Sequence, residues 1–184
     1  MRYFKMSAAS AAAALALLST AAQASDGMIT FNGSLVSNTC VINSGTSTMT
    51  VTLPTLSATS LSAASPAAGA TPFSISVANC PSGLSSFVTY FEGAGSANVD
   101  QTTGRLKNTA TTGAATGVQL RLSNVGGGTA IDLSKPSATQ GSAAAALTGT
   151  TTLSGTANYV VEYYGTSASA GAVSSSITYS VIYN

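Results

Sequence analysis

The last twelve residues, Val173-Ser-Ser-Ser-Ile177-Thr-Tyr179-Ser-Val181-Ile182-Tyr183-Asn184, alternate large apolar side chains with mostly small polar ones. Successive side chains of a β-strand point to opposite faces, so Ile177, Tyr179, Val181 and Tyr183 form one face built for burial. No turn and no returning strand follow them. A strand of that length with a free edge is a template for pairing with another chain, which soluble proteins normally blunt or cover. The edge is therefore either covered from within the chain or is the working part of the molecule.

The other end of the sequence has the pattern of a processing signal. Arg2 and Lys5 open it, an Ala/Leu-rich stretch runs over 7–18, and Ala22-Gln23-Ala24 supplies a small-x-small cleavage site. These features predict a cleaved signal peptide over 1–24 and a mature chain from Ser25. The apolar stretch is shorter than a membrane span of about 18 or more residues, and no later segment approaches that length. An exported protein that is not membrane-embedded is expected.

Beyond the signal, Arg105, Lys107, Arg121 and Lys135 face Asp26, Glu92, Asp100, Asp132 and Glu162, a formal charge of −1. No basic field serves nucleic acid, and no arginine–aromatic interleaving suits single strands. With charged residues at 6% of the chain, self-repulsion contributes little to solubility, which suits a protein that lives assembled. Cys40 and Cys80 are an even pair in an exported chain, so a disulfide is expected. Closing such a loop stabilises by about 4 kcal/mol in the chain-entropy model. A two-cysteine metal site is the alternative, but the chain has no histidine to complete it, and no cofactor is implied.

Short alternating runs separated by Ser/Thr/Gly/Ala/Pro stretches dominate the mature sequence. Strands are predicted over 28–35, 39–42, 49–53, 72–77, 86–92, 117–122, 158–164 and 173–184. Phe73-Ser-Ile75-Ser-Val77 and Val118-Gln-Leu120-Arg-Leu122 alternate cleanly, as half-buried strands do. The fold class is all-β, a sandwich over one domain. Segment 56–70 has a weak helical character that Pro66 ends, while 124–128 and 134–152 read as loops.

A second isolated alternation lies at the mature N-terminus. Gly27, Ile29, Phe31, Gly33 and Leu35 share one face of residues 25–35. Asn32-Gly33 is also a good type I′ turn pair, which would fold this arm into a hairpin with 35–41 and leave the terminal strand uncovered.

Taken together these residues resemble the pilin subunits of bacterial chaperone-usher fimbriae, such as the type 1 and P pili. Ile29-Thr-Phe31-Asn-Gly33-Ser-Leu35-Val36-Ser-Asn-Thr-Cys40 is similar to the family's N-terminal extension running into its first cysteine, and Phe73-Ser-Ile75-Ser-Val77-Ala-Asn79-Cys80 to the strand bearing the second. The penultimate Tyr183 and Gly171, fourteenth from the end, match the family's C-terminal assembly motif.

The resemblance implies an incomplete immunoglobulin-like β-sandwich lacking its last strand, with residues 36–184 as the pilin domain and 25–35 as a donor-strand extension. It implies an acceptor groove along Gly171, Ile177, Tyr179, Val181, Tyr183 and Asn184, filled by Gly27, Ile29, Phe31, Gly33 and Leu35 of another copy or a related pilin. A periplasmic chaperone and an outer-membrane usher are the implied assembly partners, and a cell-surface fimbrium that supports adhesion is the implied destination. A single domain favours a shaft or minor joining subunit over a two-domain tip adhesin.

Two other classes compete. An enzyme would need acid/base groups, yet none of the five carboxylates sits in a motif that activates a nucleophile, and Gly93-Ala-Gly95 lacks the third glycine of a dinucleotide loop. A self-contained secreted binding module for sugar or protein would use Tyr90, Tyr159, Tyr163 and Tyr164 as an aromatic platform, with core packing as the plainer account of those rings. Asn32-Gly33-Ser34 also matches a glycosylation acceptor, where a glycan would obstruct the arm.

Overall fold

The computed structural model describes residues 30, 40–46, 48–64, 66–126 and 128–184. Every described strand belongs to the unit running over Val36–Asn184. The signal segment, the arm residues Gly27, Ile29, Phe31, Gly33 and Leu35, and the predicted strand and hairpin over them lie outside the described residues.

Nine strands are described: β1 (Val41–Ile42), β2 (Ala67–Cys80), β3 (Ser86–Phe91), β4 (Val99–Asp100), β5 (Arg105–Lys107), β6 (Gln119–Asn124), β7 (Ala145–Ala146), β8 (Leu153–Tyr164) and β9 (Tyr179–Tyr183). They form two antiparallel sheets, ordered β1-β2-β8-β6-β5-β4 and β7-β3-β9. The long pair β2 and β8 is the spine of the first sheet, with Phe73 opposite Tyr159 and Ile75 opposite Ala157. Gly155 in β8 lies beneath β7, where a Cβ would sit 2.5 Å from the Ala146 carbonyl oxygen. Only glycine lets the two backbones approach that closely.

Alternation places the core between the sheets. Ile75 and Val77 of β2, Phe87 and Phe91 of β3, Leu120 and Leu122 of β6 and Tyr159 and Val161 of β8 are buried in one cluster. Phe91 meets Tyr159 edge-on at 5.2 Å between ring centres, and Phe73 meets Phe91 at 6.4 Å. Such T-shaped pairs add about 0.5–1.5 kcal/mol beyond area burial. Across the outer face of the first sheet, Arg121 stands directly opposite Glu162, and the two form an ion pair at 2.7 Å. The expected disulfide joins Cys40 to Cys80 and ties the start of the domain to the end of β2.

Several expected boundaries move. The predicted strand 49–53 has no ladder partner among the described residues, so it is not a strand. The predicted strand 173–184 is paired only over Tyr179–Tyr183. Residues 174–178 are held instead by hydrogen bonds outside any ladder, including Thr109 N–H to Ser174 O at 2.7 Å and Glu92 N–H to Thr178 O at 2.9 Å. Strand β6 lies two residues later than predicted, because Ser123 and Asn124 pair with Val160 and Tyr159. Between 56 and 70 the helical character amounts to one 3₁₀ turn, Ala58–Ser60, with Ser57 as its cap, before β2 begins at Ala67. The predicted loop 134–152 contains the short β7.

Candidate functional site

A groove of about 790 Å³ opens on the side of the sandwich where the two sheets are not bridged by a strand. One lip is the segment bearing Met49, Val51 and Leu53, and the other is Ser175 to Tyr179. Core side chains form its floor: Phe73 and Ile75 from β2, Phe91 from β3, Leu120 and Leu122 from β6 and Val161 from β8. Ile75, Phe91, Leu120, Leu122 and Val161 of this floor are buried, and the half-buried Val51, Leu53, Phe73 and Ile177 present the apolar surface that faces the opening. The lip from Ser175 to Tyr179 spans five residues, about 16 Å at strand rise.

The second lip is anchored on one side only. β9 pairs with β3, setting Tyr179 opposite Phe91, Val181 opposite Thr89 and Tyr183 opposite Phe87. Its other edge has no paired strand among the described residues. On the outer face, the Glu92 carboxylate accepts hydrogen bonds from the Ser180 and Thr178 hydroxyls. These bonds, Ser180's first, hold the Glu92 carboxyl below its ordinary 4.5. The Asn98 side-chain amide donates to the Ser176 carbonyl at 3.0 Å. On the inner side, the Ser175 hydroxyl is buried without a hydrogen-bond partner among the described residues. A buried hydroxyl left so costs about 1–3 kcal/mol.

A hydrogen bond reaches the second lip from the turn after β1. The Asn43 side-chain N–H donates to the Tyr179 hydroxyl at 2.9 Å, while the Asn43 side-chain oxygen accepts the Ser76 backbone N–H at 2.9 Å. Asn43 has a left-handed φ of 46° in the turn Asn43–Gly45 that follows β1. Asparagine tolerates that region better than most residues.

A family model described as type-1 fimbrial protein, A (FimA) matches residues 53–184, which include β2 to β9 and the Ser175–Tyr179 lip. The chain belongs to the type-1 fimbrial protein family. It is 39% identical over 170 residues to the F17 fimbrial protein of Escherichia coli, covering 90% of this chain and 91% of that protein. It is 40% identical over 177 residues to the major fimbrial subunit SMF-1 of Stenotrophomonas maltophilia (strain K279a), covering 92% of this chain and 99% of that one. The P pilus rod subunit PapA shares its fold with a TM-score of 0.54 at 17% identity, over 79% of this chain and 99% of that subunit. As a fimbrial protein the chain is a structural subunit of a surface fimbrium, and its sandwich is the incomplete immunoglobulin-like fold of the pilins.

Within this fimbrial subunit the residues singled out from sequence fall in three places. Ile177 and Tyr179 line the groove. Val181 and Tyr183 continue the same face past its end, half-buried against the core, and burial pushes the Tyr183 phenol up. Asn184 is bonded back to the start of β3, its carbonyl accepting the Ser85 N–H at 2.7 Å and its N–H donating to Ser86 at 2.9 Å. Gly171 lies away from the groove, where a Cβ would stand 2.4 Å from the Ala115 nitrogen and 2.6 Å from the Gly113 oxygen. Its place is a backbone crossing beside the Ala114–Ala172 bridge, not a groove wall.

The opposite lip, Met49, Val51 and Leu53, carried a strand-like alternation in the sequence but no sign of its role. Asn43 gave no sequence signal at all. Of the four tyrosines, Tyr159 is in the core, the Tyr163 hydroxyl donates to the Pro54 carbonyl at 3.2 Å, and Arg105 covers the Tyr164 ring at 3.8 Å. Among the described residues no helix is long and apolar enough to cross a membrane.

Proposed function

We propose that this subunit polymerises by donor-strand exchange, its groove taking the N-terminal extension of another copy. The observation that carries the reading is the one-sided pairing of β9 beside an apolar groove floored by core side chains. Extension residues Ile29, Phe31 and Leu35 would fill the channel from above, and Gly33 would sit where the floor is high. Three such side chains contribute about 5–9 kcal/mol before ordering costs. The inserted backbone would complete the β9 ladder, a form of β-strand addition. Arm and groove are different surfaces, so the contact is heterologous and propagates as an open filament. The joint is part of a folded core, so its lifetime follows an unfolding rate more than an ordinary off-rate.

On this reading residues 1–24 are cleaved during export, 25–35 are the donor extension, and 36–184 are the acceptor domain. A periplasmic chaperone would shield the groove until an outer-membrane usher joins the subunits, and the subunit's work is structural rather than catalytic. Gly171, Tyr183 and Asn184 would serve by fixing the position of β9. Deleting residues 25–35 tests the reading: the shortened chain should accept a strand but not donate one, terminating fibres. Normal polymerisation of that chain would refute it.

A further inference from the structure

We infer that the Asn43–Tyr179 hydrogen bond is a clasp across the groove, and that it opens when a strand is inserted. The inference rests on the strand-acceptor reading and adds a step to it. Asn43 belongs to the first sheet's side, held by Ser76 of β2, and Tyr179 to the second sheet's β9, so their bond at 2.9 Å spans the space between the sheets. The inner face of β9 continues beyond it through Val181 and Tyr183, and on the other wall the groove continues past Asn43 to Ile42, Val41 and Cys40. A contact between side chains thus joins the two walls of the groove part-way along it.

Lengths agree with this. The apolar stretch from Ile29 to Leu35 is seven residues, about 23 Å as a strand, against about 16 Å for the open lip. Seating the whole stretch beside β9 needs the channel extended along Val181, which requires the phenol to leave Asn43. The two partners differ in mobility. The Asn43 amide is fixed by its second bond and by the turn, whereas the Tyr179 ring can swing about its side-chain torsions. Tyr179 is the moving part.

Oxidised full-length chain, refolded from denaturant, is mixed with a fluorescent peptide carrying residues 25–37, and peptide uptake is timed. Tyr179→Phe keeps the ring and removes the hydroxyl. It should raise the uptake rate by about two- to tenfold, the factor that one neutral hydrogen bond commands. Asn43→Gly, which keeps the left-handed backbone, should also accelerate uptake. The thermal midpoint of the filled Tyr179→Phe complex should stay within about 2 °C of wild type. An unchanged or slower rate for Tyr179→Phe, or acceleration by Asn43→Gly alone, overturns the clasp. A clearly lowered midpoint also overturns it, by showing that the hydroxyl serves the filled joint. If wild-type chain takes up no peptide, the strand-acceptor reading itself fails and the clasp with it.

Discussion

Gln140 and Phe91 are joined as two strand residues would be, although Gln140 lies in a loop. Its buried side chain accepts the Phe91 backbone N–H at 2.9 Å and donates to the Phe91 carbonyl at 2.6 Å. One amide thus supplies the ladder bonds at the end of β3, where Phe91 floors the groove and faces Tyr179. Gln140→Leu fills similar volume but leaves the buried Phe91 N–H without its Gln140 acceptor, while the Phe91 carbonyl keeps the Gly93 N–H at 2.7 Å, and should destabilise the peptide-filled subunit by about 1–3 kcal/mol in urea unfolding. Peptide uptake should slow as the floor loosens.

Glu92 predicts an acid sensitivity on the same wall. Its folded-state carboxyl is held below 4.5 by hydrogen bonds from Ser180 and Thr178. A lowered folded value means that the contribution is present above the unfolded value and is lost as pH falls below about 4.5 through the folded one. Asp132, held down chiefly by Ser134, and Asp100, held down chiefly by the Thr102 N–H, act in the same direction. Unfolding midpoints measured from pH 7 to pH 3 should decline at the acid end, and Glu92→Gln should make that decline shallower. An identical pH profile in the variant would contradict this role.

Gly171 is expected to be intolerant for steric reasons. An added Cβ would meet backbone atoms of Gly113, Ala114 and Ala115, which have no side-chain freedom with which to retreat. Gly171→Ala should cost about 2 kcal/mol or more in urea unfolding of the peptide-filled subunit, with a larger loss for Gly171→Val.

Reduction of the Cys40–Cys80 bridge should act on the acceptor as a whole. The bond closes a separation of 40 residues and anchors the strand that precedes the Asn43 turn. Its loss should lower stability by about 4 kcal/mol, measured as the difference in urea unfolding with and without reductant. Peptide uptake by reduced chain should fall accordingly.

Legibility in sequence followed strand length and locality. Phe73, Ile75 and Val77 announced β2, and Ile177, Tyr179 and Val181 announced the exposed lip, because a period of two is written locally. β4, β5 and β7 are two or three residues long, too short for any period to register. Met49, Val51 and Leu53 read as a strand, but their role depends on lying across from Ile177, more than a hundred residues away in the chain. Asn43 and Gln140 act through partners 136 and 49 residues distant, and a lone polar residue in a Ser/Thr-rich sequence gives no warning of that. The wall that comes from one continuous segment was readable, and the pieces that complete it were not.

In the assembled fibre, the groove of one copy should hold residues 29–35 of another. A photoreactive phenylalanine analogue in place of Phe31 tests it most directly. The labelled chain is assembled with isotopically heavy unlabelled chain, illuminated and digested, and the cross-linked peptides are identified by mass. Cross-links from light residue 31 to heavy peptides containing 48–53 or 175–183 are predicted. Cross-links confined to light peptides of the same chain, or none to either lip, would contradict the account.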